Sequence, residues 1–253
     1  MVRNKPDHQP PPSQTSPAAS QSPFASITNT IHSLRFVGSI QERDNFETDV
    51  VATYSTQQWS SVAYTRKGIT DPVPEIVLTG NEDGVRGRFF QSVGHAVGAV
   101  LQAQGIEMTF ADFQCAGIMY RHTPDVISLD NQTTVRMVGE LKVSWVPTHD
   151  FRPYLSDATG NRLRYLLAQP LMHMHDLSCN YGFMTNYWQT IFLRQQLVDG
   201  VWMAEYSQIK EAKTEFNPGT IISVKQCFFH MACRASESGP DEPINNTLMM
   251  TGL

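Results

Sequence analysis

The segment 124–142, PDVISLDNQTTVRMVGELK, decides how the chain folds. Two apolar runs, Asp125–Leu129 and Val135–Val143, flank the polar tip DNQTT. Short runs rich in Val and Ile that are separated by a few polar residues are typical of antiparallel strands joined by a hairpin. We therefore predict a β-hairpin over this segment, with Asp125 opposite Glu140.

These two acids form the centre of a predicted site. Facing residues of antiparallel strands lie roughly 4.5–5.5 Å apart at Cβ, so the carboxylates of Asp125 and Glu140 repel each other in an apolar setting. A divalent cation such as Mg²⁺ relieves this repulsion, and the peptide carbonyl of Leu141 is a further candidate ligand. Lys142 projects from the same face of the strand as Glu140, where its ammonium can hold an attacking water. The group predicts metal-dependent hydrolysis of phosphodiester bonds.

A purely structural interpretation of the same residues stays open. An aspartate that precedes a strand often belongs to a turn, and a Glu-x-Lys pair often lies on a solvated strand face. The apolar flanks, Val126-Ile127 and Val135–Val138, place both acids on strands rather than in a polar loop. This placement favours the metal site.

Helical and extended patterns alternate through the rest of the chain. Asn81 suits a helix start, the apolar residues from Phe89 to Leu101 recur at helical spacing, and Gly105 ends that helix. A second helix is predicted over about Ala158–Leu177, in which Pro170 requires a kink or a short break. Further strands are predicted over Phe113–Tyr120, Tyr181–Tyr187, Thr190–Leu197 and Val201–Tyr206, and a final helix, with a strand as the alternative, over Ile221–Ala235. The central order is thus helix, three strands, helix, strand.

Composition limits the kind of protein this is. Residues 1–25 are rich in Pro, Ser and Gln, which predicts a disordered leader, and residues 26–253 are predicted to form one domain. Within residues 26–75 we recognise only a candidate strand over Ser61–Thr65. The start of the chain lacks an apolar signal and no apolar run is long enough to cross a bilayer, so we expect a soluble, intracellular protein without a membrane partner. The formal net charge of -5 argues against coating of nucleic acid through bulk positive charge, although it allows a local basic groove.

The predicted second helix adds residues that complete a family pattern. Gln169 and His173 lie one turn apart and share a helix face. The ordered set Pro124-Asp125, Gly139-Glu-Leu-Lys142 and Gln169-xxx-His173 resembles the PD-(D/E)XK nuclease superfamily over about residues 80–200. It is similar to a variant found in uncharacterised fungal nuclease-like proteins.

This resemblance implies an α/β fold with a restriction-endonuclease-like αβββαβ core, in which helices flank a mixed central sheet. It implies that Asp125 and Glu140 bind Mg²⁺, with Mn²⁺ as the alternative, and that Lys142 is the catalytic lysine. Many members carry an acid on the first helix, for which Glu82 is the best candidate and Asp83 the alternative. The second-helix tyrosine of many members is replaced here by His173.

Two functions follow from the resemblance. The first is a Mg²⁺-dependent endo- or exonuclease that acts on DNA, with RNA as the less favoured substrate. The alternative is a member that has lost activity and uses the same groove to bind nucleic acid or a protein partner.

Overall fold

A mixed eight-stranded sheet forms the centre of the protein. The computed structural model describes residues 33–62, 79–214, 217, 221–239, 242–247 and 249–252. These residues belong to one compact unit, Ile31–Leu253. The predicted leader, residues 1–25, and most of the candidate strand Ser61–Thr65 lie outside the described residues.

The strands join into two sheets. The strands of the described residues are β1 (Arg35–Phe36), β2 (Ser39–Glu42), β3 (Met108–Ala111), β4 (Val126–Asp130), β5 (Val135–Leu141), β6 (Tyr181–Thr185), β7 (Gln189–Val198), β8 (Val201–Tyr206), β9 (Lys210–Glu211) and β10 (Met250–Thr251). The main sheet has the order β2-β8-β7-β6-β5-β4-β3, with β9 paired to β7, while β1 and β10 form a separate pair. The pairs β5–β6 and β2–β8 are parallel and the others are antiparallel, so the sheet is mixed.

Helices cover both faces of this sheet. They are α1 (Phe46–Thr56), α2 (Glu82–Phe89), α3 (His95–Ala103), α4 (Arg152–Leu155), α5 (Asn161–Leu166), α6 (Ala168–Asp176) and α7 (Val224–Glu237). Because successive strand residues point to opposite faces, β4 divides its side chains between two cores. Val126 packs with residues of α1, α2, α3 and α7, whereas Ile127 packs with residues of α5 and α6. The predicted mixed sheet flanked by helices is therefore confirmed.

The first helix and the hairpin agree with their sequence patterns. The Asn81 side chain accepts a hydrogen bond from the amide of Gly84 (2.9 Å), which fixes the start of α2. A π-helical turn over Phe90–Gly94 joins α2 to α3, and Gly105, with φ of 69°, follows the end of α3. In the hairpin, Val126 pairs with Gly139, and this register extends directly to Asp125 opposite Glu140.

The prediction of a strand over Phe113–Tyr120 is wrong. The edge strand β3 lies earlier, and a 3-10 turn over Phe113–Ala116 follows it. The carboxylate of Asp112 accepts a hydrogen bond from the amide of Gln114 (2.9 Å), and Gly117 ends the turn in the left-handed region. A capped turn closed by glycine competes successfully with the strand preference of this apolar segment.

The segment predicted as the second helix, Ala158–Leu177, forms two helices, α5 and α6, which meet at Leu167. The interruption that Pro170 requires is therefore present, and it lies just before the proline. Pro170 lies in the first turn of α6, where its missing amide hydrogen costs nothing and its ring prevents one helix from running through. Gly160, with φ of 63°, precedes α5 and sets its start.

The final helix is confirmed as α7, which Ser223 begins with a capping box that includes Gln226. In contrast, no pattern in the sequence predicted α1 or β2.

The described residues contain no helix with both the length and the apolar character that crossing a bilayer requires.

We expect Gly139→Ala to destabilise the protein by about 1–3 kcal/mol, because an added methyl group would overlap the ring of Phe183. That ring cannot move aside freely, since it stacks on Phe89 (5.3 Å) and meets Phe228 edge-on (4.8 Å). Urea denaturation of both variants measures the effect. The control Gly98→Ala lies on α3 with open space around the new methyl group, so it should not destabilise. Equal stability of the two variants would contradict the packing described for β5.

Candidate active site

The hairpin brings the two predicted acids together at one end of the sheet. Asp125 immediately precedes β4, and its Oδ2 accepts a hydrogen bond from the amide of Leu141 (2.8 Å). Glu140 lies on β5 and its side chain is only 3% exposed. The bond from Leu141 holds the Asp125 carboxylate against the same stretch of β5 that carries Glu140. The role of the Leu141 carbonyl as a metal ligand stays a prediction.

Lys142 connects Glu140 on β5 to Gln169 on α6. Its Nζ donates to Oε1 of Glu140 (2.7 Å) and to Oε1 of Gln169 on α6 (3.2 Å). Its amide donates to the carbonyl of Thr185, which anchors the end of β5 to β6 (2.8 Å). The structure therefore places Gln169 beside Lys142, where the amide oxygen orients the ammonium.

Three further residues extend the polar network. His173 on α6 is 1% exposed, and its Nε2 lies 3.5 Å from Oε2 of Glu140. The Tyr120 hydroxyl donates to Oδ2 of Asp176 (2.7 Å), and its oxygen lies 3.2 Å from Nδ1 of His173. Because the Tyr120 hydroxyl donates its proton to Asp176, the Tyr120 oxygen acts as the acceptor towards His173. Tyr120 thus orients the ring that faces Glu140.

Sequence reasoning did not find Tyr120 or Asp176. Tyr120 is 53 residues from His173 along the chain, and no spacing rule connects them. The one available signal was that His173 stands where many proteins of the resembled superfamily have a tyrosine. A buried histidine needs partners for both ring nitrogens, and that need could have prompted a search for one.

Glu82 lies at the first position of α2 with an exposed side chain. Burial is the largest cause that raises the pKa of Asp125, the charge of Glu140 is second, and Glu82 adds to them. Helix α2 contacts β5, the strand that carries Glu140, which places Glu82 on an element that packs against the hairpin. Asp83, the alternative candidate, instead pairs with Arg86 (2.7 Å) on the exposed side of the helix.

The acids of the hairpin are electrostatically unequal. Burial and the neighbouring charge of Glu140 raise the pKa of Asp125 to about 7, although the Leu141 amide and Lys142 oppose the shift. Burial also favours the neutral form of Glu140, but Lys142 and His173 outweigh it and hold the pKa of Glu140 below its ordinary value. Burial lowers the pKa of Lys142, yet Glu140 outweighs it and the net shift is upward. At neutral pH the pair Glu140–Lys142 is ionised, while Asp125 is near its titration point.

The described residues include no group of three or more His, Cys, Asp or Glu side chains arranged to hold a metal ion. Two features nevertheless suit a cation. Oε2 of Glu140 is buried and accepts no hydrogen bond within the described part of the chain, and Asp125 is a carboxylate whose charge is poorly compensated. A cation bound by these two carboxylates would relieve both conditions.

No family model, curated protein or solved structure matches this chain. What the site can do is therefore inferred from its own residues.

Proposed function

We propose that the protein is a Mg²⁺-dependent nuclease with a restriction-endonuclease-like core. The observation that carries the proposal is the contact of Lys142 with both Glu140 and Gln169, beside a second carboxylate, Asp125. The order helix, β3, β4, β5, helix, β6, with β5 parallel to β6, supports it, because the PD-(D/E)XK resemblance implies an αβββαβ core. The substrate class is a phosphodiester, with DNA favoured over RNA.

Each residue has a distinct part in this proposal. Asp125 and Glu140 would hold the ion, with the Leu141 carbonyl as a further ligand. Magnesium supplies Lewis-acid polarisation of the scissile phosphate and positive charge beside it. Mn²⁺ prefers similar oxygen ligands and is the alternative ion.

Lys142 is assigned to the reacting water and to the charge that develops on the phosphate. Its ammonium is held from one side by Glu140 and from the other by Gln169, so it is oriented before substrate arrives. Such preorganised charges need little reorganisation during the reaction, which is the main way enzymes stabilise a transition state. Gln169 and His173 act through Lys142 and Glu140 as positioning residues.

One observation favours the alternative, a non-catalytic protein that binds nucleic acid or a protein partner. Glu140 already has a cationic partner in Lys142 and the His173 ring 3.5 Å away, so its charge is largely compensated without a metal. Such a closed network can serve as a structural ion-pair cluster.

Plasmid nicking separates the two functions. The full chain should convert supercoiled DNA to nicked or linear DNA in Mg²⁺, and chelation of the ion should stop the reaction.

Glu82→Gln, on an exposed side chain, removes a charge near the site without breaking a buried pair. We expect it to weaken Mg²⁺ binding in isothermal titration, with an unchanged melting temperature.

One control variant completes the experiment. Asp83→Asn changes the adjacent acid, which pairs with Arg86 instead, and it should leave Mg²⁺ affinity unaltered. Wild-type protein that neither binds a divalent ion nor cuts DNA or RNA would contradict the nuclease. Retained DNA binding in that case, measured by fluorescence anisotropy, would support the non-catalytic function.

A further inference from the structure

A loop beside the hairpin acids carries two exposed apolar side chains. Ile118 and Met119 follow Gly117, whose φ of 64° lies in the left-handed region. The side chains are 48% and 100% exposed, so they contribute little or nothing to the core. Single exposed apolar residues are common, but two adjacent ones on a loop that leads into a charged site suggest contact with a ligand.

This loop is held firmly against the site. Tyr120, the next residue, bonds to Asp176 (2.7 Å), contacts His173 (3.2 Å) and packs its ring on Phe113 (5.9 Å). His173 in turn faces Glu140. The loop then runs through the buried Pro124 into Asp125. Ile118 and Met119 thus directly precede a residue, Tyr120, that is anchored to the proposed site through His173 and Asp176.

Positive charge follows the apolar tip. Arg121 and His122 are both exposed, and the His122 ring lies edge-on to Tyr120 (6.1 Å). Within the described residues, Arg121 makes no ion pair or hydrogen bond. An apolar tip next to an uncompensated guanidinium is complementary to a nucleic-acid groove bordered by phosphates.

We propose that residues 117–122 form a wedge loop that inserts Ile118 and Met119 into a groove of double-stranded nucleic acid, with Arg121 on a flanking phosphate. This proposal rests on the proposed nuclease function and narrows its substrate to a duplex. Proteins that wedge into the minor groove of a duplex insert apolar side chains between base steps, and Ile, Leu and Met are among those used. Proteins that bind single strands instead stack the bases on aromatic rings, and neither Ile118 nor Met119 has a ring.

Cleavage kinetics on a labelled DNA duplex and on the same strand alone test the wedge loop. For the double variant Ile118→Ser, Met119→Ser we expect the KM for the duplex to rise about tenfold with kcat unchanged, because two apolar contacts are lost. Cleavage of the single strand should change less than the experimental error. Arg121→Ala should reduce the slope of log affinity against log salt concentration for duplex binding by about one. This is the change expected when one phosphate contact is lost.

Val201→Ser is the matched control, since Val201 is 52% exposed on β8, far along the sheet from β4. It should leave both substrates unaffected, and Mg²⁺ affinity should be the same in all variants. An unchanged duplex KM in the double variant, or an equal loss on the single strand, would overturn the wedge loop while leaving the nuclease intact. If wild-type protein cuts nothing, duplex anisotropy still decides: a tenfold loss of affinity in the double variant supports the loop, and equal affinity or no binding by wild type overturns it.

Discussion

Lys142→Ala is expected to lower the rate of the proposed DNA cleavage by about 10²–10³-fold, because it removes the positioned charge that the proposal assigns to the reacting phosphate. Mg²⁺ binding should persist, since Lys142 is not among the proposed ligands. Removal of the ammonium also frees Oε1 of Glu140, which Lys142 now engages at 2.7 Å. Single-turnover cleavage together with isothermal titration of Mg²⁺ measures both quantities on the same protein.

The outcome of Lys142→Ala needs a control for loss of folding, because Glu140 is buried and would lose its cationic partner. Lys142→Met retains much of the side-chain volume without the charge, and circular dichroism shows whether either variant unfolds. Lys225→Ala alters an exposed lysine on α7 and should cut at the wild-type rate. A folded Lys142→Met protein with full activity would remove Lys142 from the mechanism.

Asp125→Asn should stabilise the metal-free protein while it abolishes the proposed cleavage. The folded-state pKa of Asp125 is about 7, above its ordinary value of 3.8. The stability associated with its proton is therefore fully present below pH 3.8 and is lost as pH rises through 7. At pH 8 the charged form costs on the order of 2–4 kcal/mol, which the neutral amide avoids. The amide oxygen of the substituted side chain can still accept the hydrogen bond from Leu141.

Urea denaturation at several pH values measures the difference in stability between Asp125→Asn and the wild type. The advantage of Asp125→Asn should be largest at pH 8 and should shrink as pH falls towards 5. Saturating Mg²⁺ should stabilise the wild type and not the variant, because the ion binds the folded carboxylate. A variant that is less stable than the wild type at pH 8 without metal would show that the Asp125 charge is compensated in a way that the structure does not contain.

Local sequence patterns predicted the elements whose conformation depends on residues that are close together in the chain. The hairpin of β4 and β5 follows from its polar tip and apolar flanks, and Asn81 marks the start of α2 through a bond to its own helix. The strand predicted over Phe113–Tyr120 failed because Asp112 and Gly117 create a turn within an apolar segment.

Residues distant in sequence account for what was missed. The site needs Tyr120 to hold His173, and β2 forms only because it pairs in parallel with β8, from Ser39 opposite Met203 to Glu42 opposite Tyr206. No local pattern contains such pairings, since they depend on the assembled sheet. Asp125, Glu140 and Lys142 were predictable because one hairpin carries all three.

The pairing of β1 with β10 has a consequence for the order of folding. Arg35 lies opposite Thr251, and this contact closes almost the whole described chain into one loop. Contacts between such distant residues form slowly, because the entropy of loop closure must be overcome before they stabilise anything. On the ribosome, the elements from α2 to β6 emerge long before β10, so we expect the hairpin to assemble first with α2, α3, α5 and α6. The β1–β10 pair would then form last, after the candidate catalytic residues of the domain are already in place.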